Sequence, residues 1–272
     1  MNPEPRHPAA SDGALDVSVS TGSPGLSVRR VRYEPHARQG RHHHDRTSLT
    51  LVFRGSLDEV VAGSCEHAGP LSVVFKPAGT VHANRVGPVG AATLQIEFDE
   101  GFIDGDASGV PADWGWAHAG PSARRFLELF ARWSSGDDPE DALEDRVFDI
   151  LAGFDGSEDG MGGRRPPGWL VDVVEEVEDT FRRPRSVREL ARSAAVHPVA
   201  LARAHRRHYG CSITERTRAR RVREAAGLLS SAEETLSAIA FATGFSDQPH
   251  FTRIFRDETG LTPGSYRSLV RG

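Results

Sequence analysis

Two sets of side chains in this sequence have the types and spacing to do chemistry. The first is histidine: His42, His43 and His44 in the run HHHDR, and His82 in KPAGTVHANR. A neutral imidazole offers a lone pair near pH 7 and is the commonest metal ligand. If the run is extended, the alternation of a strand turns His42 and His44 to one face and His43 away. The second set lies late in the chain and comprises Arg203, Gln248 and Arg253. A guanidinium can donate two hydrogen bonds to guanine O6 and N7, and a glutamine amide can pair in the same bidentate way with adenine, so these groups suit the reading of base edges.

Different elements must position the two sets. LSVRRVRY (Leu26 to Tyr33), SLTLVFRG (Ser48 to Gly55), LSVVFKP (Leu71 to Pro77) and ATLQIEF (Ala92 to Phe98) are rich in β-branched and aromatic residues. Turn residues break them every ~8–12 residues, the pattern of an antiparallel sandwich or barrel. Beyond Pro121 the period becomes helical, through Phe126, Leu127, Leu129, Phe130 and Trp133, and again through Leu143, Val147, Ile150 and Leu151 after a start at Asp138-Pro139. DGSEDGMGGRRPPG, from Asp155 to Gly168, has almost nothing apolar to bury and reads as a linker. Caps and breakers then place helices at 167–181, 186–195, 198–209, 212–231, 235–243, 247–259 and 263–270. Ser186, Ser212, Thr235, Ser246 and Thr262 stand at the N-cap positions, and Gly210 and Gly260 end two helices.

The expected architecture is therefore α+β in two domains: a disordered tail over 1–25, a β-barrel-like domain with trailing helices over 26–154, a linker over 155–168, and an all-α domain over 169–272. No apolar run approaches the roughly 18 residues that cross a bilayer, and the Pro-, Ser- and Gly-rich start lacks the apolar core of a signal peptide, so a cytoplasmic protein without membrane contact is expected. Cys65 and Cys211 fall in different domains, against a disulfide framework or a zinc finger. The net charge of −5 conceals a division. From Arg164 onward 19 arginines face 13 acidic residues, a surplus of 6, whereas residues 1–163 hold 14 basic and 25 acidic residues, a deficit of 11. A basic half beside an acidic one points to a polyanion as the partner of the former. Only Lys76 among the 33 basic residues is lysine, which reads as genome composition rather than chemistry.

The basic half contains a repeat. VRELARSAAV (Val187 to Val196) superposes on LSAIAFATGF (Leu236 to Phe245), with Leu190 on Ile239, Ala191 on Ala240, Ala195 on Gly244 and Val196 on Phe245. With one residue of offset Leu201 falls on Phe251, Arg203 on Arg253, Ala204 on Ile254, Arg206 on Arg256 and Gly210 on Gly260. A small residue at the end of one helix, a short turn and a second helix make a helix-turn-helix, whose second helix enters the DNA major groove. Two such units joined by one long helix would reach successive grooves, about 34 Å apart. Arg216, Arg218, Arg220, Arg221 and Arg223 on that joining helix are expected to touch phosphates.

GFSDQPHFTRIFRDETGLTPGSYR, from Gly244 to Arg267, resembles the signature of AraC-type transcription regulators, and 169–270 resembles that family's DNA-binding domain. The resemblance implies base contacts from Val199, Ala202 and Arg203 in the first unit and from Gln248, Pro249, Thr252 and Arg253 in the second, with Arg206 and His250 also toward DNA. His205 stands where the family carries a large aromatic, and Ala200 and Ala202 are small, so discrimination is expected to rest on the second unit. Double-stranded DNA and RNA polymerase are the implied macromolecular partners, with activation of transcription; a homodimer is left open.

The β-rich half resembles a cupin, a common sensor attached to such domains. In cupins a His-x-His pair and a distant histidine can hold a metal, which here implies His42, His44 and His82 for a divalent ion. The glutamate expected between them is replaced by Ser48 or Leu49. His42, His44, Ser48 and His82 would line the pocket of a small-molecule effector of unknown identity. Metal binding, a metal-free pocket and structurally satisfied histidines all stay open here. The rival class is a metal-dependent cupin enzyme with a fused helical domain; the tandem arginine-bearing units weigh against it.

Overall fold

The computed structural model describes residues 14–21, 25–102, 113–136, 142–152, 154 and 166–271. Its N-terminal part is a single antiparallel sheet of β1 (Ala14–Thr21), β2 (Leu26–Tyr33), β3 (Arg38–His42), β4 (Thr47–Val61), β5 (Ser64–Ala68), β6 (Ser72–Lys76), β7 (His82–Phe98) and β8 (Gly115–His118). The strand order is β1-β2-β7-β4-β6-β8, with β3 added to β7 and β5 to β4. The long strands β4 and β7 pair from Thr47 opposite Phe98 to Val61 opposite His82 and bend at two bulges around Val52–Leu57. Bulges bend a strand and curl the sheet. At this corner Gly55 has φ 69°, and a Cβ there would lie 1.9 Å from the Gly90 carbonyl oxygen, so only glycine fits.

Alternation gives the curled sheet two unlike faces. Leu49, Leu51 and Phe53, with Val73, Phe75, Leu94, Ile96 and Phe98, form an apolar face that is fully or almost fully buried. Thr50, Lys76, Thr93 and Gln95 point into the concave side, as the cross-strand pairs Ser48–Lys76 and Thr50–Gln95 require. Helices α1 (Gly120–Ser135) and α2 (Ala142–Ala152) cover part of the apolar face.

The remaining helices are α3 (Gly168–Thr180), α4 (Val187–Ser193), α5 (Pro198–Tyr209), α6 (Ile213–Ser231), α7 (Leu236–Ala242), α8 (Gln248–Thr259) and α9 (Pro263–Arg271). Helix α6 packs on β4, and the core of the sheet runs without a break into α6, α7, α8 and α9. The fully buried Tyr266 of α9 donates its hydroxyl to the Phe53 carbonyl of β4 at 3.0 Å. Helices α3, α4 and α5 instead form their own cluster around Leu170, Val173, Leu190 and Leu201, into which α6 inserts Ile213.

Several expectations change. Residues 14–21, placed in the disordered tail, form β1 because they find an edge partner in β2. Strands β3, β5 and β8 were not foreseen, and β4 and β7 extend well beyond the apolar runs that announced them. Residues 1–13, most of the linker and the Asp138-Pro139 helix start lie outside the described residues, while Gly168, where the expected linker (155–168) and the expected helix (167–181) overlap, opens α3 with Pro167 as its N-cap. The N-cap of α8 is Asp247 rather than Ser246. Its carboxylate accepts the His250 backbone N–H at 2.7 Å, and a charged acceptor outcompetes the adjacent hydroxyl.

The repeat is reproduced bond for bond. Val196 N–H donates to Ala191 and Phe245 N–H to Ala240, both at 2.9 Å, and the turns pass through Ala195 at φ 53° and Gly244 at φ 85°. A Cβ on Gly244 would meet the Arg182 carbonyl oxygen at 2.5 Å, whereas Ala195 is exposed. Gly244→Ala is therefore expected to destabilise by about 2 kcal/mol or more, from left-handed strain plus the clash. Ala195→Gly, which relieves the same strain in open space, should be neutral or stabilising by up to about 1 kcal/mol. Urea denaturation of both variants checks the contrast, and equal losses would contradict it.

Candidate functional site

The structure brings His42, His44 and His82 together, with one nitrogen from each within 4.8 Å of the others. His42 and His82 face each other as a cross-strand pair of β3 and β7. His44 lies past the end of β3, so the loop rather than strand alternation delivers it, with its ring centroid 5.0 Å from His42 and 5.2 Å from His82. His43 turns away toward Asp45, at 3.7 Å. The Nδ1–H of His42 donates to the Gly40 carbonyl at 2.8 Å and that of His82 to the Thr80 carbonyl at 2.9 Å. These bonds to backbone carbonyls fix the tautomer of both rings and leave Nε2 as the lone-pair atom. The Nε2 of His82 is buried without a hydrogen-bond partner. Burial, with Lys76 nearby, lowers the pKa of His44 to about 4 and pushes that of His82 well below the usual histidine value. Both are neutral at pH 7, the state a metal requires. The donor set fits a divalent ion of zinc type, held by three imidazoles that would close up to about 2.0–2.1 Å from it.

Ser48 is buried on β4, opposite Lys76 and Glu97 in register. The carboxylate near the histidines is one that the sequence did not single out. Glu59, 1% exposed, places Oε1 4.0 Å from His82 Nε2, accepts from Lys76 Nζ at 2.7 Å and accepts from Trp114 Nε1 at 2.9 Å. Engaged by a lysine and an indole, it is not available as a fourth ligand in this arrangement. Tyr33, Gln39, Asn84 and Gln95 continue the polar lining, and the free space amounts to about 20 Å³, room for roughly one water. One signal for this cluster was present in the sequence: Lys76 is the sole lysine of the chain.

In the helical half the predicted base readers lie on the outer faces of α5 and α8. Val199, Ala202, Arg203 and Arg206 are exposed, as are Gln248, Pro249 and Arg253, while His250 and Thr252 are half-buried. Arg253 makes a loose ion pair with Asp257 at 3.7 Å, both solvent-facing, which is a weak restraint. His250 is tied into the start of α8, its Nδ1 3.1 Å from Ser246 Oγ and its ring against Phe245. The C-terminal end of α8 meets the N-terminal part of the chain, where Arg124 of α1 donates to the Asp257 carbonyl at 3.1 Å.

The α6 arginines do not form the expected phosphate-binding row. Arg216, Arg220 and Arg223 all pair with Glu178 of α3, at 3.3, 3.3 and 2.9 Å. Arg218 pairs with Glu258 at 2.6 Å, and Arg221 donates to the Phe181 carbonyl at 2.8 Å. A helix surrounded by α3, α8, α9 and β4 uses its cations as internal ties.

The duplicated unit, with the outer faces of α5 and α8 open to solvent, follows a curled antiparallel sheet, and sequence comparison finds the same pair of domains elsewhere. The chain belongs to the AraC-type transcriptional regulators. Residues 190–268 match the model of the helix-turn-helix domain and residues 23–148 that of the AraC-like ligand binding domain. The HTH-type transcriptional regulator GlxA of Rhizobium meliloti (strain 1021) is 38% identical over 98 residues, 36% of this chain and 30% of that protein. The probable transcription factor PqrA of Proteus vulgaris is 31% identical over 98 residues, 35% of this chain and 80% of that protein. The uncharacterized regulator YpdC of Escherichia coli (strain K12) is 28% identical over 113 residues, so the chain matches 30% and 40% of the length of GlxA and YpdC. Among solved structures, ToxT from Vibrio cholerae aligns over 92% of this chain and 100% of its own, at 11% identity and a TM-score of 0.39.

In this AraC-type chain the buried core position of the first unit is His205, matching Phe255 of the second. Its Nδ1–H donates to the Cys211 carbonyl at 2.7 Å and its Nε2 is buried without a partner. Burial lowers its pKa, with Arg216 acting in the same direction. The unfolded chain therefore takes up a proton that the folded chain refuses, so stability contributed by the neutral form is full above about pH 6.5 and falls as pH drops below it. Thermal melts between pH 7.5 and 5 should show that decline, and His205→Phe should make it shallower, the rest coming from His44 and His82. An unchanged pH slope in the variant would refute the role.

Proposed function

We propose that this chain is a cytoplasmic, DNA-binding transcription regulator that reads successive major grooves with α5 and α8 and answers to a small effector in its sensor domain. The observation that carries the reading is the exact internal repeat of the turn, which leaves the outward residues of both second helices open to solvent. Arg203, Arg253 and Gln248 are the base readers in this reading. Among the described residues, the exposed Arg188, Arg192, Arg206 and Arg207 of the first unit enter no ion pair, which suits them to phosphates. The first unit then supplies grip and the second supplies choice.

An effector in the concave side of the sheet would meet Lys76, Glu59 and the histidines, and its signal has a short route. Helix α1 is continuous with the sheet's core and touches α8, while β4 touches α6. The ligand acts only as far as it binds one arrangement of these helices better than another. Contact with RNA polymerase, activation, and a dimer follow the same reading. His42, His44 and His82 would hold a divalent ion there, supplying a fixed positive charge for an anionic effector group. A metal-dependent cupin enzyme would use the same three imidazoles, but it gives no reason for two duplicated readers.

Fluorescence anisotropy with the chain's own upstream DNA and with random duplex tests the assignment. Arg253→Ala should cost about 1–3 kcal/mol on the cognate site and little on random DNA. Arg207→Ala should weaken both alike and lower the salt slope by about 1. Equal losses from Arg253→Ala on both DNAs would remove it as a base reader. For the metal, protein purified without a His-tag should carry about one equivalent of zinc or a similar ion by plasma spectrometry, lost in His44→Ala. Metal-free wild-type protein that takes up none on titration ends that part of the reading.

A further inference from the structure

A second cavity lies between the two halves of the chain, walled on one side by the β5–β8 edge of the sheet and on the other by α3 and α6. It has two lobes of about 440 and 480 Å³ that share His67, His118, Glu178 and Arg223. The concave side of the sheet, by comparison, is filled by its own side chains, and Trp116 forms part of the wall of both spaces.

The sensor side of this cleft is an aromatic platform held rigidly. Trp116 and His118 stack with ring centroids 5.9 Å apart and planes 1° from parallel. His118 is pinned from both nitrogens, Nδ1 to Ser72 Oγ at 2.7 Å and Nε2 to Glu66 Oε1 at 2.9 Å. Trp114 adds a second indole, oriented by its bond to Glu59. Across the cleft Arg216 lies over the Tyr209 ring at 4.7 Å.

The helical side has more donors than acceptors. Glu178 serves three guanidiniums, of which Arg220 also has a second carboxylate, Glu224 at 3.0 Å. The Nε–H of Arg216 is buried without an acceptor, and so is the indole N–H of Trp116, whose residue is 5% exposed. Buried donors without partners cost free energy that an incoming acceptor recovers. Arginine pairs pick out planar carboxylates through bidentate bonds, and aromatic faces pick out flat rings.

We propose that this cleft is a small-molecule site, separate from the concave side of the sheet, for a planar aromatic carboxylate that stacks on the Trp114–Trp116–His118 platform and competes with Glu178 for Arg216 and Arg223. The position gives such a ligand leverage. Glu178 belongs to the first reading unit, whereas the C-terminal half of α6, from Val222 to Leu229, belongs to the core shared with the sheet. A carboxylate that takes over the arginines loosens the tie between the two bodies.

Isothermal titration of the full chain with indole-3-carboxylate tests this, with indole-3-carboxamide and acetate as controls lacking the charge or the ring. The carboxylate should bind saturably, with quenching of tryptophan fluorescence, and each control should be weaker by about tenfold or more. Glu178→Gln removes the competing anion and should tighten binding several-fold, a gain that misfolding cannot imitate; Arg223→Gln should weaken it about tenfold. Lys76→Gln, which removes the cation of the sheet's concave side and keeps Glu59 to hold Trp114, should leave affinity unchanged. Loss of binding in Lys76→Gln with Arg223→Gln unaffected would place the anion on the concave side and overturn the proposal, as would no binding or equal binding of the amide. No DNA enters the measurement, so failure here leaves the DNA-reading assignment standing.

Discussion

The apolar face of the sheet has to be hidden from water, and helices that follow it in the sequence, α1 and α2 directly and α6 to α9 much later, hide it. Leu49, Leu51, Phe53, Leu94 and Ile96 pack into one continuous core with Phe126 and Phe130 of α1, Val222 and Leu229 of α6, Phe251 and Phe255 of α8, and Tyr266 of α9. At about 25 cal/mol per Å² of apolar surface, side chains of this size contribute roughly 1.5–3 kcal/mol each when fully buried. The sensor and the second reading unit are thereby one body. The first unit has its own smaller core and is held to that body by α6 and by polar ties: the Glu178 arginines, the Arg221 bond to the Phe181 carbonyl, and Arg182 to Glu224 at 2.8 Å. Polar ties exchange with water and ligands at far smaller net cost than a packed core does.

The opposite face of the same sheet shows why a signal can arise there. A buried Lys76–Glu59 pair is costly to desolvate and costlier still to break on one side only. A ligand that replaces one partner must supply equivalent hydrogen bonds, so the pair acts as a chemical filter. Because the free space is so small, any larger occupant has to move side chains, and Trp114 is among the first it meets, since its indole ends on Glu59. Moving Trp114 changes the wall of the interdomain cleft. The two spaces are thus coupled through an indole rather than through the backbone.

The sequence announced the helical half nearly to the residue because its signals are local. Serine and threonine caps with glutamate three residues on, as at Ser186–Glu189 and Ser212–Glu215, are satisfied by the helix they start, and the left-handed Gly210 and Gly260 end theirs in the same way. The sheet was legible only where a strand buries an apolar row. Strands β3 and β5 are polar and exist because β7 and β4 run past the core and offer edges, which no local pattern reveals. The histidine triad was implied by the resemblance to a cupin, but its partner Glu59 was not, since the pairing of Glu59 with Lys76 depends on where the sheet curls. The α6 arginines misled for a related reason: charge pattern gives the sign of a helix face, whereas neighbours decide whether that face meets solvent, nucleic acid or another helix.

That misreading also reassigns the positive charge of the C-terminal half. With the α6 cations held by Glu178, Glu258 and a backbone carbonyl, the five arginines exposed on α4 and α5 (Arg188, Arg192, Arg203, Arg206 and Arg207) outnumber the two exposed on α8, Arg253 and Arg256. In the proposed reading the stronger electrostatic grip then belongs to the unit that is tied most loosely, and the base readers Gln248 and Arg253 belong to the unit fused to the sensor. An event that swings the first unit therefore changes affinity for every DNA sequence together, without altering which sequence is preferred. An event that distorts α8 would have to strain the shared core to do so. Regulation by adjusting grip at constant specificity is the cheaper motion, because it breaks ion pairs at a half-exposed seam and leaves Phe251, Phe255 and Tyr266 packed.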